Sequence, residues 1–211
     1  MSRLVIRTIL EEYAPHLPDD IESKVQEYLR LLDIWGKKMP LTSIKDPEEI
    51  LRFHFGESIS ALSTMDVTSG RLADVGSGAG FPGLAIKLAK PQLDVLLIEP
   101  NKKKSAFLHE VVRTLHLTNV RIATDSFYET QIQDNSLSLV TCRALGDLED
   151  LIPWAKRKLA ISGKLVLWVG KEESTKTVSS PGWRWRGPTL IPGTRGRFVL
   201  SGAPIIEKCS T

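Results

Sequence analysis

"RLADVGSGAGFPG", residues 71–83, decides the fold. An apolar run closes on Asp74, glycines follow at 76, 78 and 80, and Pro82-Gly83 comes next. A run of this kind reads as a strand turning into a helix over a bound ligand. From Arg71 onward the chain alternates. Strands are expected at RLADVG, LDVLLIE, VRIATD, SLSLVTC and KLVLWVG, with helices between them at PGLAIKLA, KKSAFLHEVVRTLH and LEDLIPWAKRKLA. Apolar strands alternating with amphipathic helices make βαβ units and a parallel sheet covered on both faces.

Upstream the style differs. In PDDIESKVQEYLRLLDIW, Asp19 or Asp20 can cap a helix whose Ile21, Val25, Tyr28, Leu29 and Leu32 recur at helical spacing. DPEEILRFHFGESISALSTM reads alike, with Asp46 as cap and Pro47 in the first helical position. Residues 1–65 are therefore expected as a helical extension, and residues 66–211 as the α/β domain. Beyond Lys171 the chain is rich in Ser, Thr, Gly and Pro, which predicts a long loop to about residue 197. RFVLSG and PIIEKC, which follow, are expected to pair as an antiparallel edge.

The chain has 211 residues, 42% hydrophobic and 25% charged, with a formal net charge of +3. Such a composition is that of a globular protein able to bury a core. No apolar run approaches the ~20 residues that cross a bilayer, and the N-terminus carries acids where a signal peptide is apolar. Two cysteines, Cys142 and Cys209, with no CxxC, suggest neither a metal site nor a disulfide framework. A cytoplasmic location and a monomer are expected.

Two carboxylates bear on the ligand. The loop contains a G-x-G-x-x-G at 78, 80 and 83, the dinucleotide pattern. Asp74, two residues before the first glycine, would repel a pyrophosphate. It suits S-adenosylmethionine, which carries an ammonium and a sulfonium and no phosphate. Glu99 ends the next apolar strand, nineteen positions beyond Gly80, where a carboxylate can accept both hydroxyls of an adenosine ribose. On these residues alone NAD stays open.

"DVGSGAGFPG", "LLIEPNKKKSAFL", "VTCRAL" and "PLTSIKDPEEILRFHFGES" together resemble the glucose-inhibited division protein B family, from about Trp35 to Lys171. These are small-subunit ribosomal RNA guanine-N7 methyltransferases. The resemblance implies a three-layer α/β/α methyltransferase fold with a mostly parallel seven-stranded sheet, S-adenosylmethionine as donor, and 16S ribosomal RNA or the small ribosomal subunit as partner. By position it places cofactor contacts at Gly76 and Phe81 in the loop, at Tyr128 and Glu129 after the third strand, and at Arg143 after the fourth; Gly78 and Glu99 join them on the reading of the loop given above. The family's Asn-Leu-Thr is Pro40-Leu41-Thr42 here, its Asp-Ser is Glu57-Ser58, its Lys-Gly is Lys171-Glu172, and the last 40 residues match poorly.

Guanine N7 has an exposed lone pair and no proton to remove, so its methylation needs neither nucleophile nor base, and none is expected. The Asn/Asp-Pro-Pro-aromatic turn of amino-group methylases is missing from TCRALGDL. Cytosine-C5 methylation needs a nucleophilic cysteine, for which Cys142 is the candidate; a cysteine in an apolar strand is more often a small buried side chain. A fold-retaining, non-catalytic RNA-binding or ribosome-assembly protein is the other alternative. His54, between Phe53 and Phe55, reads as a packed, hydrogen-bonded side chain. Arg143 can contact cofactor or RNA, or pair with Asp147. Lys103, within a lysine run that opens a helix, Lys171 and Arg184 are candidate RNA contacts, the last because WRWRG interleaves aromatic and basic residues.

Overall fold

The computed structural model describes residues 1–65, 67–143 and 148–205. A seven-stranded sheet runs in the order β3-β2-β1-β4-β5-β7-β6. Its strands are β1 (Gly70–Val75), β2 (Leu93–Ile98), β3 (Val120–Ala123), β4 (Leu137–Arg143), β5 (Leu159–Gly170), β6 (Trp183–Leu190) and β7 (Arg197–Pro204). The first five are parallel, and β7 lies antiparallel between β5 and β6. The chain reverses its lateral direction after β3, which opens a crevice at the carboxyl ends of β1 and β4, where α/β proteins bind ligands.

Alternation along the strands feeds two cores. On β5, Val166 and Trp168 join one core while Leu165 and Leu167 join the other. The first core holds α6 (Gly83–Ala89) and α7 (Lys102–Thr114), together with α1 (Arg3–Glu11) and α2 (Ile21–Gly36) of the N-terminal part. The second holds α8 (Leu151–Lys158). Helices thus cover both faces, as the alternation predicts. Asp46 accepts from the backbone N–H groups of Glu48 and Glu49 at 3.0 and 2.9 Å and caps α3 (Pro47–Ile50) as expected. A wider π-helical turn, Leu51–Gly56, joins α3 to α4 (Glu57–Ser60), and α5 (Leu62–Met65) closes this stretch.

The region after Lys171 departs from the expected loop. It forms α9 (Lys171–Val178) and then β6. In α9 the buried residues are Ser174 and Thr177, so the inward face is polar and has no apolar period. WRWR is a strand alternation: Trp183 and Trp185 stack at 5.3 Å over the second core, and Arg184 and Arg186 point outward. Gly187 and Pro188, which look like loop residues, sit where the β6–β7 register shifts on an edge strand, a place that tolerates both. RFVLSG is β7, and it pairs with β5 and β6 instead of with PIIEKC. Most of PIIEKC, with Cys209, lies outside the described residues, as does Asp147.

Candidate active site

The loop after β1 is held by its own backbone. The N–H groups of Gly76 and Ser77 both donate to the Ile98 carbonyl, at 2.9 and 3.1 Å, and those of Gly80 and Phe81 to the Ser77 carbonyl, at 2.7 and 3.1 Å. The Gly78 N–H donates to Glu99 Oε2 at 2.7 Å, and the Gly83 N–H to Asp74 Oδ2 at 3.1 Å. A pyrophosphate loop offers its N–H groups to the ligand; here those six are already spent. Gly80 has φ +91°, and any side chain there would strike the hydroxyl of Tyr28, which donates to the Ala79 carbonyl at 2.7 Å. A fully buried tyrosine of α2 thereby clamps the loop from below.

Asp74 does not face a ligand. It is fully buried, accepting from the Thr141 hydroxyl at 2.7 Å and from Gly83. Burial pushes its carboxyl up to about 6, against the pull of Thr141, Ser77 and the Gly83 N–H. It fastens β1 to β4 and to the start of α6, so its expected part in meeting a cationic cofactor directly is corrected to one in shaping the loop.

Glu99 does stand at the loop. Its oxygens accept from Gly78 and, at 2.9 Å, from the Asn101 N–H, and each keeps a further lone pair. Beside it Gly78 (φ +58°) faces open space: a Cβ there would meet nothing nearer than the Gly76 carbonyl at 3.8 Å. An open cradle next to a carboxylate fits a nucleoside diol. The Phe81 side chain is 5% exposed and packs on Tyr28 and Phe55. Tyr128 and Glu129 lie exposed after β3, with Glu129 accepting from the Ser126 hydroxyl at 2.7 Å.

Across β1 and β4 a second assembly is built from side chains. Arg143, at the end of β4, donates to the Phe53 carbonyl at 3.0 Å and to His54 Nδ1 at 2.8 Å, and its guanidinium lies 5.6 Å from the Phe81 ring centre. Arginine has only donors, so Nδ1 accepts and His54 carries its proton on Nε2, which donates to the Thr42 hydroxyl at 2.6 Å. Burial, followed by the charge of Arg143, depresses His54 to about 4. His54 is thus a neutral, fully hydrogen-bonded ring stacked on Phe81, in keeping with its expected packed role. The π-helical turn carries both His54 and the Phe53 carbonyl, and such turns often occur at functional sites.

Glu57, 2% exposed, lies 3.6 Å from Arg143 and 2.7 Å from Arg197 at the start of β7. Burial raises its carboxyl, and the two arginines oppose the rise. Ser43, Ile44, His54, Glu57, Arg143, Trp168, Gly170 and Arg197 all line a cavity of about 500 Å³. Sequence reasoning left Thr42 and Glu57 without a role and put residue 197 only at the end of an expected loop. The signal for their meeting is long-range strand pairing, with Gly170 opposite Arg197, which no local spacing reveals.

Of the candidate RNA contacts, Lys103 in the first turn of α7 and Lys171 after β5 are exposed at the rim formed by the strand carboxyl ends. Arg184 pairs with Ala203, near the opposite end of the sheet, so it is not gathered with them.

Seven strands in this order, with a glycine loop and a carboxylate at the ends of β1 and β2, define the class I methyltransferase architecture. A SAM-dependent methyltransferase from Aquifex aeolicus shares it at TM-score 0.62 and 16% identity, over 83% of this chain and 98% of that one. The geranyl diphosphate C-methyltransferase of Streptomyces coelicolor, solved with S-adenosyl-L-homocysteine, does so at TM-score 0.65 and 13% identity, over 92% and 100%. The family model described as rRNA small subunit methyltransferase G matches residues 21–181. Proteins named ribosomal RNA small subunit methyltransferase G are 33% identical in Xanthomonas campestris, over 89% of this chain and 88% of that protein, and 32% identical in Legionella pneumophila, over 82% of each. The chain belongs to this family, GidB.

Proposed function

We propose that the protein transfers the methyl group of S-adenosylmethionine to N7 of a guanine in 16S ribosomal RNA, free or within the small subunit. The observation that carries this reading is that Arg143, whose guanidinium lies beside Phe81 of the glycine loop, also lines a cavity of about 500 Å³, roomy enough for a base. Gly76, Gly78 and Glu99 would hold the adenosine end, and Phe81, Tyr128 and Glu129 are the further residues that would contact the cofactor. When bound, the cofactor would supply an electrophilic methyl on a sulfonium, the kind of group that a guanine N7 lone pair can take without a base.

The chain's own groups position and exclude. Arg143 is fixed by four partners, so it presents a set charge between the two sites; alignment of this kind supplies ~7–11 kcal/mol in well-oriented reactions. No base stands ready and none is needed: His54 has both nitrogens engaged, and Glu57 is held by arginines. Residues 1–65 act as the outer wall, contributing Ser43, Ile44, His54 and Glu57 to the cavity. Lys103, Lys171 and Arg197 at the rim suit the RNA backbone.

The cytosine-C5 reading is less well supported, because Cys142 is 2% exposed and packed in the second core. RNA from cells with and without this protein, treated with borohydride and aniline, is expected to break at one guanine only where the protein is present. A trapped adduct with fluorocytosine RNA, lost in Cys142→Ala, would overturn the assignment in favour of cytosine.

A further inference from the structure

Among the described residues lining the cavity, Glu57 is the one carboxylate. Its neighbours are unequal. The Arg143 side chain is 17% exposed and tied to Phe53 and His54, whereas that of Arg197 is 57% exposed and rests over the Phe53 ring at 5.7 Å. Arg197 makes the shorter contact with Glu57 yet is the partner free to swing into solvent. The main chain at Glu57 is held by the Trp168 indole, which donates to its carbonyl at 2.7 Å, and the carboxylate still has Arg143 at 3.6 Å when Arg197 leaves.

We infer that Glu57 reads the target base, its carboxylate accepting the N1–H and the N2 amine of guanine, and that Arg197 occupies the carboxylate until the base arrives. The inference rests on the guanine reading proposed above. Its chemical ground is that the N1–C2–N2 edge of guanine is a pair of N–H donors spaced like the fork of a guanidinium. A carboxylate that accepts one accepts the other. Adenine and cytosine set an acceptor on that edge against the carboxylate, and uracil brings a single N–H. On the purine, N7 lies on the far side from N1 and N2, so an edge anchored at Glu57 leaves N7 as the free atom. The exchange keeps Glu57 hydrogen-bonded throughout, which a buried carboxylate requires. Arg197, released at the rim, then meets phosphate.

The test uses 16S ribosomal RNA assembled by ligation with guanine or inosine at the methylated position. Inosine lacks the N2 amine and keeps N1–H, O6 and N7. The wild-type protein is expected to methylate inosine at least about tenfold more slowly, in the range that a lost base contact costs. In Glu57→Gln, guanine methylation falls while the guanine-to-inosine ratio shrinks toward one, because the amine's partner is weakened. S-adenosylmethionine affinity, read by calorimetry, stays within about threefold in this variant. Equal wild-type rates on the two RNAs would overturn the inference without any variant being folded. So would a ratio left unchanged by Glu57→Gln, which reduces Glu57 to a support for Arg143. Failure of the reaction proposed above looks different: the guanine RNA would itself gain no N7 methyl from wild-type protein.

Discussion

The two halves of the site are made of different material. The half beside β1 and β2 is backbone closed on itself, with Asp74, Glu99 and Tyr28 each holding a main-chain group of the loop. The half beside β4, β5 and β7 is side chain on side chain: Thr42, His54, Arg143, Glu57 and Arg197 in one connected set. A cofactor used in every turnover is met by a rigid cradle. On the reading proposed above, the RNA, which must enter and leave, would be met by a side-chain set in which Arg143 and His54 stay fixed and Arg197 exchanges partners.

That contrast can be broken most severely at Arg143. Arg143→Lys keeps the charge but cannot donate to Phe53 and His54 in a fork. Single-turnover methyl transfer is expected to fall about a hundredfold, as for a misplacement of ~1 Å, and a rate within threefold of wild type would show that the network need not be fixed. The cradle half should fail through stability instead. Gly80→Ala forces a side chain into a left-handed conformation and against Tyr28, and is expected to cost about 3 kcal/mol in urea unfolding. An unchanged midpoint would mean that the clamp on the loop yields readily.

A smaller effect separates the halves by pH. His54 is held near 4 against an ordinary 6.5, so between those values the unfolded chain takes a proton that the folded chain refuses, and stability rises with pH. Asp74 is held near 6 against 3.8, so over that range the folded chain keeps a proton that the unfolded chain has released, and stability falls as pH rises. The two oppose between pH 4 and 6. In His54→Asn the Asp74 contribution is no longer opposed by the histidine, and the urea midpoint is expected to shift downward from pH 4 to 6 relative to the wild type. Parallel profiles would remove the histidine from the balance.

The same contrast explains what was legible in the sequence. Asp74, the glycines and Glu99 sit on strand ends within thirty residues of one another, and local pattern marked them all. Their partners were not legible: both carboxylates were expected to face the cofactor, and Asp74 is spent on Thr141 and Gly83. The acceptor half showed only as fragments, His54 and Arg143, because the contacts of Arg143 with His54 and of Arg197 with Glu57 join residues 89 and 140 positions apart. The stretch after Lys171 was misread for a compositional reason. Its helix buries serine and threonine, and its strand carries a Gly-Pro at the one kind of position, a shifted edge, that accepts it.

The placement of Arg197 has a consequence in time. Glu57 leaves the ribosome 140 residues before the arginine it pairs with, which at about 5–20 residues per second is on the order of ten seconds. Until then β7 is missing from between β5 and β6, and the carboxylate remains in water with no wall around it. The cavity closes only when β7 docks, in the same event that delivers the cation. A nascent chain therefore carries a finished glycine loop well before Arg197 and β7 wall the cavity beside Glu57.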